Sequence, residues 1–142
     1  MGRYTFLEEG ALADCVVELE GRDLDDLFAT AAQALAELMA DPATVPRTVE
    51  RRVTLEAPAR DLLLYDWLSE LILRKDRDRE IFPEAEVTVR GEGPFTLDAR
   101  LRGGPLDAER TALGADPKAV TFHQFRLEPA AGGWRARVVI DI

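Results

Sequence analysis

Among its 142 residues the chain has one cysteine, one histidine, one serine and two lysines. A lone cysteine forms no internal disulfide, and a cysteine–histidine zinc site needs three or four such ligands. The single serine, Ser69, falls in the middle of a helical pattern and offers no nucleophile. No apolar run approaches the ~20 residues that cross a bilayer. The opening Met1-Gly2-Arg3-Tyr4-Thr5-Phe6 lacks the apolar core of a signal peptide. A phosphate-cradling loop is missing too, because Gly91-Glu92-Gly93-Pro94 has no helix after it and reads as a turn. Positive charge is short: 18 Lys and Arg stand against 27 Asp and Glu, a net charge of −9. That deficit argues against a basic stripe for stable nucleic-acid binding and against docking on an anionic membrane. It permits a cationic protein partner or a metal ion. The expectation is a cytoplasmic protein whose chemistry comes mainly from carboxylates, Arg and Lys.

With 46% hydrophobic and 32% charged residues, the composition is that of one globular domain over residues 1–142. Residues 4–7 read as a short strand. From Asp14 to Glu20, Cys15, Val17 and Leu19 alternate with Asp14, Val16, Glu18 and Glu20, the period-2 pattern of a half-buried strand. Asp23 then suits a helix N-cap, with Asp25 and Asp26 at the positive end of the dipole. Leu24, Leu27, Phe28, Ala31, Leu35, Leu38 and Met39 follow at helical spacing, up to Pro42. A strand from about Thr48 to Glu56 precedes a second helix from about Arg60 to Arg74. The mixed charges from Arg74 to Glu80 read as a solvated helix end and loop. Glu86–Arg90 and Phe95–Leu101 form a hairpin, residues 103–117 a polar loop, and Val120–Leu127 and Trp134–Asp141 a second hairpin. The order β-β-α-β-α-β-β-β-β predicts an α+β fold: a single two-layer domain, with a mixed or antiparallel sheet covered by two helices.

Two carboxylates stand out. Asp14 starts a strand and Asp141 is the penultimate residue, each on the face opposite its strand's apolar set. Side by side, those strands would let both share a hard cation such as Mg²⁺ or Ca²⁺, with the carbonyl or terminal carboxylate of Ile142 as a third oxygen. Asp at a strand end is more commonly a turn residue, and spacing alone leaves both readings open. Lys118 is unusual because Arg is the default cation here, used sixteen times; a compact ammonium or chance explains it. His123 is a candidate base, although no Ser or Cys is placed to use it. Cys15, on the apolar face of its strand, reads as core packing.

These residues fall within a wider resemblance. Tyr4-Thr5-Phe6-Leu7-Glu8 and Ala13-Asp14 sit where the archease family has its F-x-x-x-x-H-T-A-D segment. Trp67-Leu68-Ser69-Glu70-Leu71 is similar to the family's W-L-N-E-L, and Gly104-Pro105-Leu106-Asp107-Ala108-Glu109-Arg110 to its G-E-x-x-D-x-x-R. Lys118-Ala119-Val120-Thr121-Phe122-His123 matches K-A-[VI]-T-[YF]-H, and the ending from Trp134 to Ile142 matches W-x-x-x-x-x-x-D-[IV]. The chain thus resembles archease, the activator of the GTP-dependent tRNA-splicing ligase of the RtcB family, over essentially its whole length. The resemblance implies a divalent cation, usually calcium with Mg²⁺ or Mn²⁺ as alternatives, held by Asp14, Asp141 and Ile142. It also implies a role in ligase activation for Lys118, in a block that includes His123. In one place the sequence departs from the family: Ala11-Leu12-Ala13-Asp14 stands for H-T-A-D, so the His and Thr are missing. Glu8 and Glu9 are nearby carboxylates that would compensate.

The leading expectation is a non-enzymatic, metal-binding protein that promotes guanylylation and multiple turnover of an RtcB-type RNA ligase. An acidic surface suits a cationic ligase pocket rather than RNA. The alternative is a small divalent-metal-dependent hydrolase or phosphotransferase built on Asp14 and Asp141, with His123 as base. It requires a closed pocket beside the carboxylates. A third reading is a structural oligomerisation module without metal.

Overall fold

Alternating and helical apolar patterns become seven strands and two helices in the order the sequence predicts. The structure is a computed structural model and describes residues 2–7, 14–107 and 109–142. The departure at Ala11-Leu12-Ala13 and the proposed compensation by Glu8 and Glu9 lie outside the described residues. The elements are β1 (Arg3–Leu7), β2 (Asp14–Gly21), α1 (Leu24–Met39), β3 (Val49–Ala57), α2 (Arg60–Asp78), β4 (Glu80–Gly91), β5 (Phe95–Pro105), β6 (Ala119–Ala130) and β7 (Gly133–Asp141). A 3₁₀ turn at Pro42–Thr44 follows α1.

The strands divide into two antiparallel sheets where the sequence suggested one. The first has the order β1-β2-β7-β6 and the second β3-β5-β4. The segment 106–118 carries the chain from β5 in one sheet to β6 in the other, so the two C-terminal hairpins never share an edge. Each helix packs against strands of both sheets. One core results, with Phe28, Leu35, Leu64, Trp67, Leu97 and Val138 fully buried. Trp67 donates its indole N–H to the Phe28 carbonyl at 2.9 Å, which ties α2 to α1. That bond answers the polar end of a buried indole.

Helix α1 starts as its sequence dictates: Asp23 accepts from the Asp26 N–H at 2.7 Å. Its last carbonyls need partners from elsewhere. The N–H groups of Gly114 and Ala115 supply them, to Met39 O at 2.7 Å and Leu38 O at 2.9 Å.

Helix α2 runs on to Asp78, past the predicted end at Arg74, and closes at Arg79 in the left-handed region, φ 57°. The charged run after Arg74 is therefore not simply solvated, because Lys75 is only 5% exposed. Strand β4 starts at Glu80, ahead of the predicted Glu86, and Glu80 to Pro83 are buried. Pro83 disguises this strand, since proline cannot donate to a ladder. The structure accommodates it with a register shift between Ile81 and Glu84. Strand β5 likewise extends through Gly103 and Gly104, read from sequence as loop. A Cβ at Gly103 would lie 2.0 Å from the Ile81 carbonyl, so these glycines mark close backbone approach.

Candidate functional site

The two ends of the chain meet in one ladder. β2 pairs with β7 antiparallel, and Asp14 stands directly opposite Asp141. Directly opposed residues place their Cβ atoms about 4.5–5.5 Å apart, and like charges there are destabilising. At roughly 5 Å, two carboxylates repel by about 1 kcal/mol in water and about 3 kcal/mol at an effective permittivity of 20. The next rung on the same face is Val16 opposite Val139, both buried. The carboxylates thus sit beside an apolar floor. Further along, charges match: Glu18 faces Arg137 at 3.5 Å, and Glu20 faces Arg135. Among the described residues neither Asp14 nor Asp141 has a side-chain hydrogen bond or ion pair.

Strand β6 flanks β7 on its other side, with Ala119 opposite Asp141. The Lys118 N–H donates to the Asp141 carbonyl at 2.7 Å, which brings an exposed lysine to this corner. Ile142 follows Asp141, half-buried and packed against the core. Asp14, Asp141, Ile142 and Lys118 therefore converge. His123 does not join them. It lies four residues beyond Ala119, roughly 13 Å of extended strand, in the irregular stretch between Thr121 and Arg126. It is exposed. Cys15 packs against the core beside Asp14, and burial pushes its thiol pKa up, so it stays a thiol.

As a cation site, the corner offers two carboxylates and main-chain carbonyls. Among the described residues no group of three Asp, Glu, His or Cys side chains is assembled to hold a metal. An all-oxygen donor set fits a hard cation that keeps several waters and does not fit zinc.

Two features here escaped the sequence reading. Lys75 reaches from α2 to the Asp116 carboxylate, to Pro117 O at 3.0 Å and to Asp76 at 2.8 Å. Burial alone would lower its pKa; hydrogen bonds and charge from Asp116 and Asp76 outweigh that, and the net direction is up. The second feature is an aromatic group. Phe122, 59% exposed, stacks on Tyr65 with ring centroids 4.2 Å apart, and Phe125 packs edge-on against both. The scarcity of lysine pointed equally at Lys75 and Lys118, but only contacts show which oxygens Lys75 meets.

The fold and this corner define a class: a two-sheet α+β domain whose central β2 and β7 strands oppose two aspartates beside a lysine. The chain belongs to the archease family. The model of that family, described as the archease protein family (MTH1598/TM1083), matches residues 4–142. The archease of Methanosarcina mazei is 34% identical over 142 residues, covering 99% of this chain and 96% of that protein. The archease of Archaeoglobus fulgidus is also 34% identical over 142 residues, with 99% of both chains covered. The solution structure of Methanobacterium thermoautotrophicum protein 1598 aligns with a TM-score of 0.79 at 30% identity, over 98% of each chain. A crystal structure from Thermotoga maritima, described as an archease and possible chaperone, aligns with a TM-score of 0.65 over 93% of each chain. At 19% identity that second likeness speaks for the fold alone.

No helix of the described residues is long and apolar enough to cross a membrane.

Proposed function

We propose that this protein is a metal-binding, non-enzymatic activator of an RtcB-type, GTP-dependent RNA ligase, and that it promotes guanylylation and multiple turnover of its partner. The observation that carries the reading is the direct opposition of Asp14 and Asp141, next to Lys118. Among the described residues, a protein rich in arginine leaves two carboxylates facing each other with no cationic side chain in register. A divalent ion held by Asp14, Asp141 and Ile142 removes that repulsion; Ca²⁺ suits the oxygen set, and Mg²⁺ or Mn²⁺ are the alternatives. When bound, the ion supplies fixed positive charge at an acidic corner. Lys118 adds a compact ammonium that neutralises a phosphate or carboxylate of the partner complex.

The hydrolase alternative called for a closed pocket beside the carboxylates. A groove of about 810 Å³ lies elsewhere, lined by Arg51, Arg52, Arg100 and Arg102 of the other sheet together with Asp26 and Glu84. The net charge of −9 supports the activator reading, because it suits a cationic protein surface over RNA.

The test is to add the protein to a cognate ligase and follow guanylylation over many turnovers. Stimulation by wild type, lost in Asp141→Ala, is the expected result. A nucleotide- or phosphoester-hydrolysing activity of the protein alone that disappears with Asp141→Ala would overturn the reading in favour of the hydrolase.

A further inference from the structure

Lys118 begins β6 at the end of a long connection, yet its backbone is anchored residue by residue. Gly114 and Ala115 donate to the last carbonyls of α1, Met39 O and Leu38 O. Lys118 donates to Asp141 O. Between these anchors stand Asp116 and Pro117, and both are held by one side chain, Lys75 of α2. Among the described residues it is the one side-chain tether in that run and the one a substitution removes cleanly.

The chemistry of the tether is specific. An ammonium has three donors and no acceptor. Lys75 meets three oxygens: a carboxylate oxygen of Asp116, the carbonyl of Pro117 and a carboxylate oxygen of Asp76. Its side chain is 6% exposed, whereas that of Asp116 is 81% exposed. Packing therefore does not pin Asp116; the ammonium does. Proline at 117 fixes its own φ and keeps the preceding residue extended. Once Lys75 holds 116 and 117, little freedom remains before the Lys118 N–H. A planar guanidinium fans its donors in one plane and does not reproduce this three-way contact. That accounts for one of two lysines in a chain with sixteen arginines.

We propose that Lys75 is a positioning residue for Lys118: by clamping Asp116 and Pro117 it fixes the backbone from which Lys118 is presented beside the Asp14–Asp141 rung. The functional half of this rests on the activator reading; the anchoring half does not.

Amide hydrogen exchange followed by NMR on the full chain tests the anchoring. Lys75→Met keeps the buried stem and removes the ammonium. Exchange at the Lys118 and Ala115 amides should rise about tenfold or more, as expected for losing charge-assisted hydrogen bonds. Val138, in the core of β7, should exchange as in wild type. Lys75→Arg should resemble Lys75→Met. If Lys75→Met fails to fold, Asp116→Asn leaves α2 intact and should loosen the same amides in the same direction by less. Wild-type protection of Lys118 in these variants overturns the proposal, and so does an equal rise at Val138. For function, Lys75→Met should lower ligase stimulation and subtract nothing further in a Lys118→Ala background. Local loosening with full stimulation in Lys75→Met, where Lys118→Ala loses it, also overturns positioning. Local loosening with Lys118→Ala itself fully active supports the anchoring and sinks the activator role of Lys118 instead.

Discussion

Among the described residues three rungs place like charges face to face, and the acidic one differs from the two basic ones. Of the basic pair, Arg126 opposite Arg137 is flanked by Glu128 and Glu18. In the three-stranded sheet Arg52 stands opposite Arg100. Asp98, one position along the same face, takes Arg52 in a two-pronged contact at 3.0 and 2.7 Å, and Glu86 stands opposite Arg100 on the other flank. The sheet supplies its own counter-charge. In the four-stranded sheet Asp14 stands opposite Asp141, and the flanking residue on β6 is Ala119. Among the described residues the ladder supplies no counter-charge there. A rung balanced internally is surface electrostatics; the acidic rung beside buried valines is where the proposed cation would sit.

The largest effect that would break this contrast is at the acidic rung. Asp14→Asn and Asp141→Asn should abolish the rise in melting temperature that Ca²⁺ gives wild type, and with it ligase stimulation. A ligand bound only to the folded state adds about 2.7 kcal/mol at a hundredfold excess over its dissociation constant. Without cation, both variants should be more stable than wild type, by up to about 1–3 kcal/mol, because the repulsion across the rung is relieved. Melts with calcium and with chelator read both arms. Equal responses from wild type and variants would move the cation elsewhere.

Next comes Lys118. Lys118→Ala should stay folded by circular dichroism yet stimulate guanylylation poorly at saturating activator. Lys118→Arg should also be impaired, because a fork replaces a compact charge. Full activity in Lys118→Ala removes this residue from the site.

A smaller effect is set by pH. The Lys75 hydrogen bond, with the ammonium's charge behind it, holds the Asp116 carboxyl below its ordinary range. A carboxyl with a lowered folded-state pKa contributes stability that is present above its unfolded value, about 3.9. That contribution is lost as pH falls through the folded pKa. Protection of the Lys118 amide, corrected for intrinsic exchange, should therefore fade at the acid end, below the usual carboxylate range. Lys75→Met should flatten that dependence. A profile identical in the two proteins would separate Asp116 from Lys75.

The smallest effect belongs to the balanced rung of Arg52 and Arg100. Asp98→Asn should leave the calcium response intact and barely move the melting temperature, since exposed ion pairs contribute little. In wild type the Asp98 carboxyl, hydrogen-bonded to Arg52, should titrate below the ordinary range by NMR. Loss of the calcium response in Asp98→Asn would erase the distinction between this rung and the acidic one.

Much of the fold was legible because it rests on local periodicity. Asp23 as N-cap, the spacing of Leu27, Phe28, Ala31 and Leu35, and the alternation along β2 and β7 need no distant partner to be read. The readings that fell short involve residues whose role depends on something remote in sequence. Pro83 and Gly103 look like strand breakers until a bulge and a close backbone approach explain them. Lys75, among Arg74, Asp76, Arg77 and Asp78, looks like one more solvated charge until Asp116 and Pro117 arrive from a different part of the chain.

The sequence by itself determined the order of elements, the acidic balance and the residues able to carry chemistry, since each follows from residue type and near-neighbour spacing. Tertiary structure alone decided that the strands form two sheets and that Asp14 faces Asp141. The reason is physical: 126 residues separate the two aspartates, and ladder register is set by which faces must be buried across the whole core. The same holds for the clamp of Lys75 on the segment before Lys118, because a buried ammonium is defined by the oxygens that surround it.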